Sequence, residues 1–187
     1  MLKTTLALAA LLAATACGST VTRLNMPSVE SAASLRANVS SVMIRTVSLP
    51  TYAAAEEIAL ETAPGVITSD GELLSADDPS RGVTLALTQG VGNMLDANVG
   101  PDPWPFAGLP DVAVDVRVSD MLGSAVTGTF RLAGQYYIGG DGIDYPNRSR
   151  SFAYNVQMVT PDIPGAVAAQ GVAVAQLAED IARQLGR

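Results

Sequence analysis

The residue with the clearest chemical prospect is Cys17, the only cysteine in the 187-residue chain. It follows Ala14-Thr15-Ala16 and precedes Gly18-Ser19. Small residues at −2 and −1 with cysteine at +1 form the pattern of a bacterial lipobox. Ala14 stands where leucine is usual, a tolerated departure. The chemistry expected of such a site is a thioether between the Cys17 sulfur and diacylglycerol, with cleavage after Ala16. The other reading is an ordinary secreted chain cut near Ala16 and carrying a free thiol. A lone exposed thiol is a liability in an oxidising compartment, and thioether formation removes it.

The segment ahead of Cys17 fits an export signal over residues 1–16. Lys3, the only lysine, supplies the positive start, and residues 6–14 form an apolar run. That run is too short to span a hydrocarbon core of ~30 Å as a permanent helix. Anchoring would therefore fall to lipid. One short acyl chain holds marginally at about 0.8 kcal/mol per buried CH₂, whereas the two or three chains of a lipoprotein hold durably. Gly18, rather than aspartate, follows the cysteine, which by resemblance to lipoprotein sorting favours the outer membrane, periplasmic face.

Elsewhere the sequence offers little reactive chemistry. There is no histidine, so the commonest general base and metal ligand is missing. The nucleophile-elbow, phosphate-loop and zinc-protease motifs do not occur. Glu56-Glu57, Asp77-Asp78 and Glu179-Asp180 are adjacent acids, and adjacent residues do not share a face of a helix or strand, so they read as solvated surface rather than catalytic pairs. The stretch Gly139-Gly140-Asp141-Gly142-Ile143-Asp144 lacks calcium-loop spacing and reads as a hairpin turn. No catalytic residue, metal or cofactor is expected beyond covalent lipid on Cys17, and the chain is not expected to be an enzyme. Removing residues 1–16 leaves 171 residues with ten arginines against eighteen acids, a net charge of −8. Nucleic acid and anionic membrane faces are excluded as electrostatic partners.

Trp104 and Phe106 lie in a proline-rich loop over residues 101–110 and are the candidate interface residues. One reading makes Trp104 a plug at the edge of the core. The other makes it an exposed anchor for a partner or a lipid headgroup.

The elements that must carry these residues are legible in the hydrophobic pattern. Residues 17–38, rich in Ser, Thr, Ala and Asn, read as a lipidated tether with room for one short strand at 21–26. Residues 39–187 read as one α+β domain. Strands are expected over 39–49, 58–61 and 66–69. Three more come from alternation at Val112, Val114, Val116 and Val118, at Val126, Phe130, Leu132, Tyr136 and Ile138, and at Phe152, Tyr154, Val156 and Met158. A helix starts at Asp78-Pro79, an N-cap followed by proline, with Val83, Leu87, Val91, Met94 and Leu95 on one face. A second runs from about Pro164 to Leu185 along Val167, Gly171, Val174, Ala178 and Ile181. The expected fold is a four- or five-stranded, mainly antiparallel sheet with two principal helices on one face.

In this order of elements the chain resembles the ABC-type transport auxiliary lipoproteins, the PqiC/YmbA-like family. The markers are the strand leading into Ser48-Leu49-Pro50-Thr51-Tyr52, a helix in the first third, a three-strand meander, and the closing helix ending Leu177-Ala178-Glu179-Asp180-Ile181-Ala182-Arg183-Gln184-Leu185. It departs at Arg23-Leu24-Asn25-Met26 and at Arg81-Gly82, where family members carry an aromatic. The resemblance implies a non-enzymatic envelope lipoprotein working with an MCE-domain protein and ABC transporter components in intermembrane phospholipid transport. It also allows a homo-oligomeric ring. The alternative is a structural lipoprotein of another envelope assembly or secretion complex.

Overall fold

The computed structural model describes residues 20–29, 31 and 33–186. Cys17 and the expected signal at 1–16 lie outside the described residues. Among the described residues there are eight strands and three helices. They run β1 (Thr22–Leu24), β2 (Ser41–Ile44), α1 (Thr51–Ala54), β3 (Glu57–Ala63), β4 (Val66–Ser75), α2 (Pro79–Met94), β5 (Asn98–Pro101), β6 (Val112–Ser124), β7 (Thr129–Gly140), β8 (Arg148–Gln157) and α3 (Ile163–Leu185).

The sheet is built around β6. Along one edge it pairs antiparallel with β7 for its whole length, and β7 pairs antiparallel with β8. Its other edge is shared. The N-terminal half holds β2 in parallel, with Val42 opposite Val112, and the C-terminal end holds β3, with Leu60 opposite Gly123. β5 extends the sheet beyond β2, while β4 and then β1 extend it beyond β3. The long ladders are antiparallel and the short additions parallel, an α+β fold. The strand count exceeds the expected four or five. β5 was unexpected, because Asn98-Val99-Gly100-Pro101 carries the residues that normally stop a helix.

Helices α2 and α3 cover one face. Val83, Leu87, Val91 and Met94 of α2 are buried over β2 and β5 and against α3, and Val174, Leu177, Ile181 and Leu185 of α3 are buried over β6, β7 and β8. Fully burying each contributes roughly 1.5–3 kcal/mol. The opposite face, with Arg117, Ser119, Ser149 and Ser151, is exposed. The helices approach each other closely at Gly90, where a Cβ would stand 2.8 Å from the Ala178 Cβ. Gly90 thus packs on α3, while Gly92 faces Val99 of β5.

The alternation of β6 changes phase midway. A bulge between Val118 and Asp120 shifts the register, so Val112 to Val118 face the core on even numbers and Met121 continues on an odd one. Tyr52 holds this bulge. Its hydroxyl accepts from the Met121 N–H at 3.2 Å and donates to Asp120 at 3.0 Å, and Asp120 in turn pairs with Arg131. The Leu49-Pro50-Thr51-Tyr52 turn positions this ring, since Ser48 rejoins β6 just before it.

Much of the expected tether lies on the domain. β1 forms the edge of the sheet beside β4. The chain then crosses the helix pair, with the Pro27 carbonyl so close to Gly171 of α3 that a Cβ there would meet it at 2.4 Å. It finally ties both helix ends. Leu35 N–H donates to the Met94 carbonyl at 2.7 Å, and Asn38 N–H to the Leu185 carbonyl at 2.8 Å. The carbonyls of a helix C-terminus lack partners of their own, and this strap supplies two. A Ser/Ala/Asn-rich segment folds here through backbone bonds, which composition does not reveal.

Candidate interaction surfaces

The acids expected as a solvated surface have structural partners. Asp78 caps α2 by accepting from the Arg81 N–H at 2.7 Å, and Asp77 pairs with the Arg81 guanidinium. Glu56 pairs with Arg23, and Glu179 with Arg183 one turn on. Asp180 departs from the solvated face assigned to it. It accepts from the Tyr136 hydroxyl at 3.0 Å and lies 3.5 Å from Arg150. Burial, reinforced by the Asp180 charge, raises the Tyr136 hydroxyl and pushes the neighbouring Tyr154 up to about 12. Both phenols stay neutral and serve packing. Among the described residues no group of three or more His, Cys, Asp or Glu could hold a metal ion, and no helix is long and apolar enough to cross a membrane.

The strap and α2 border a groove of about 340 Å³, lined by Met26, Pro27, Val83, Ala86, Gln89 and Gln170 among others. Its volume lies at the low end for ligand sites, and Asn25, Asp77 and Asp78 line it as well. Such a mixed wall suits an acyl chain poorly.

The loop of residues 102–111 is the more informative surface. β5 runs parallel to β6 and the loop must carry the chain back to the start of β6, along the open side of β5. Trp104 and Pro105 fold over Gly100, where a Cβ would lie 3.0 Å from the indole and 2.8 Å from the Pro105 ring. The indole covers an edge strand. Phe106 packs edge-on against it with ring centroids 4.9 Å apart, yet remains 49% exposed. Leu109, 71% exposed, abuts Gly142 in the β7–β8 loop, beside exposed Ile143. Sequence reading did not single out Leu109 or Ile143; the β7–β8 loop brings Gly142, next to Ile143, against Leu109.

Two buried polar atoms among the described residues have no hydrogen-bond partner: the Trp104 indole N–H and the Tyr145 hydroxyl. Both belong to loops at this end of the sheet. Leaving such a group unpaired costs ~1–3 kcal/mol, a sign that these loops are not shaped by stability alone. Asp102, Asp111, Asp141 and Asp144 lie in the same loops. Exposed apolar side chains and aspartates therefore share this end of the molecule.

Comparison with known proteins adds the wider context. A search of curated protein sequences finds no significant match. A crystal structure of an uncharacterized protein superposes with a TM-score of 0.72 at 17% identity, covering 89% of this chain and 99% of that one. The crystal structure of protein XCC0632 from Xanthomonas campestris, of the DUF330 family, gives a TM-score of 0.62 at 12% identity, covering 83% and 92%. At these identities the likeness is one of fold. The sequence profile described as ABC-type transport auxiliary lipoprotein component matches residues 23–182, from β1 to the last turns of α3. The chain belongs to the ABC-type transport auxiliary lipoprotein component family.

Proposed function

We propose that this chain is the outer-membrane-anchored accessory lipoprotein of an ABC/MCE-type phospholipid transport system, acting as a docking piece without enzymatic activity. The observation that carries the reading is the family match over nearly the whole folded domain. The lipobox supports the anchor, with acyl lipid on Cys17 and Gly18 favouring the outer membrane. The Phe106, Leu109 and Ile143 surface supports docking, since exposed apolar side chains rimmed by charge mark interaction sites. Its acidic rim suits a partner patch bearing Lys or Arg.

The test is intact-mass analysis of the membrane form together with separation of inner and outer membranes. The expected result is a mature chain starting at an acylated Cys17 and found with the outer membrane. An unmodified Cys17 in a chain released to the periplasm contradicts the anchor. An inner-membrane location contradicts the sorting.

A further inference from the structure

The end of the molecule opposite the Trp104 loop carries its own apolar surface. β3 runs parallel to β6, so the β3–β4 turn, the β6–β7 turn and the β8–α3 loop all project at one end. Val66 is 49% exposed, Ile67 43%, Val126 50% and Val159 93%. Residues 62–69, 125–129 and 158–161 contain no charged side chain. The carboxylates that border these stretches are held in local bonds: Glu61 accepts from the Gly65 N–H, and Asp162 from the Thr160 hydroxyl and the Gly165 N–H.

The N-terminus identifies what faces them. β1 is parallel to β4, so the chain before Thr22 leads toward the β3–β4 turn. Arg23 is level with Leu74, which is level with Glu57. From Glu57 to Ala63 at the turn is ~20 Å at the rise of a strand. From Arg23 back to Cys17 is the same number of residues, and a chain that long reaches at most ~20 Å. The start of β6 lies ~25 Å from the Glu57 level in the other direction, with the Trp104 loop beyond that reach.

We infer that the chain stands end-on at its membrane, with Val66, Ile67, Val126 and Val159 dipping into the lipid interface and the Phe106 end pointing away. This inference rests on the lipid-anchor reading of Cys17. The occupant of the apolar end is the lipid surface that receives the acyl chains. The mature chain is strongly negative, so contact with lipid must come from apolar insertion rather than charge.

The test uses the full mature lipoprotein in vesicles of phosphatidylcholine with brominated acyl chains. Single cysteines at Val66→Cys, Val159→Cys and Leu109→Cys carry an environment-sensitive fluorophore, selective because acylation consumes the Cys17 thiol. Flotation and intact mass accompany each sample. Bromine quenching at positions 66 and 159 at least ~2-fold above that at 109 is the expected result for interfacial insertion. Equal or stronger quenching at 109, in an acylated and floating protein, overturns the orientation and leaves the anchor standing. An unmodified Cys17 overturns both.

Discussion

At Tyr52 one hydroxyl serves two partners, and the β6 bulge depends on it. Tyr52→Phe leaves the Met121 N–H and one Asp120 oxygen without their partner. A loss of ~1–2 kcal/mol is expected, seen by calorimetry as a melting temperature lower by roughly 2–8 °C for a domain of this size. Acid stability turns on two exposed carboxylates. Asp162 is held below its ordinary value of 3.8 by the Thr160 hydroxyl and the Gly165 N–H at the start of α3. Glu61 is held below 4.5 by Ser124 and the Gly65 N–H. Both folded values are depressed, so their stabilisation is present above the unfolded values and fades as pH falls through the folded ones. Stability is expected to fall on acidification below about pH 4.5. The fall should be shallower in Asp162→Asn, measured by urea midpoints across that range. Tyr52 was visible beforehand as one residue of a Leu-Pro-Thr-Tyr stretch. Its task was not, because it exists only once the bulge has freed the Met121 N–H.

Elements separate into those with a periodic signature and those made by neighbours. The meander β6, β7 and β8 was legible because one face is buried and the other wet, which writes period two into the sequence. α2 and α3 were legible from their apolar stripes, and α2 also from the proline after its N-cap. β5 and the strap were not, since backbone bonds to β2, Met94 and Leu185 form them and no side-chain pattern announces them. Two glycines of α2 test the packing. Gly82 faces open space, so Gly82→Ala is expected to stabilise by ~0.5–1 kcal/mol through helix propensity alone. Gly90→Ala presses on Ala178 and is expected to cost ~1–3 kcal/mol. Opposite signs in urea unfolding check the close approach of α2 and α3. Equal gains contradict it. The strap has its own test. A chain beginning at residue 39 loses β1 and the Leu35 contact at the end of α2, and is expected to melt below one beginning at residue 20. Identical melting curves would make the segment a passive tether after all.

The whole molecule is a one-sided sheet with an apolar surface at each end and most of its charge used locally. Lipidation at Cys17 was the one chemical event the sequence specified, and its position relative to β1 gains meaning only from the fold. Much of the expected tether is folded onto the domain, from β1 to the strap across the helix ends. The candidate interface shared that fate: Trp104 and Phe106 stood out as aromatics in a loop, while Leu109 and Ile143 joined them through topology. The most direct measurement of the docking claim is affinity capture of the intact lipoprotein from membranes in mild detergent, with quantitative mass spectrometry of what accompanies it. The account predicts recovery of MCE-domain and ABC transporter components. It also predicts a loss of at least ~10-fold in that recovery for the double variant Phe106→Asp, Leu109→Asp at unchanged melting temperature, the scale of a lost interface anchor. Intact, acylated protein that brings down neither component would contradict it.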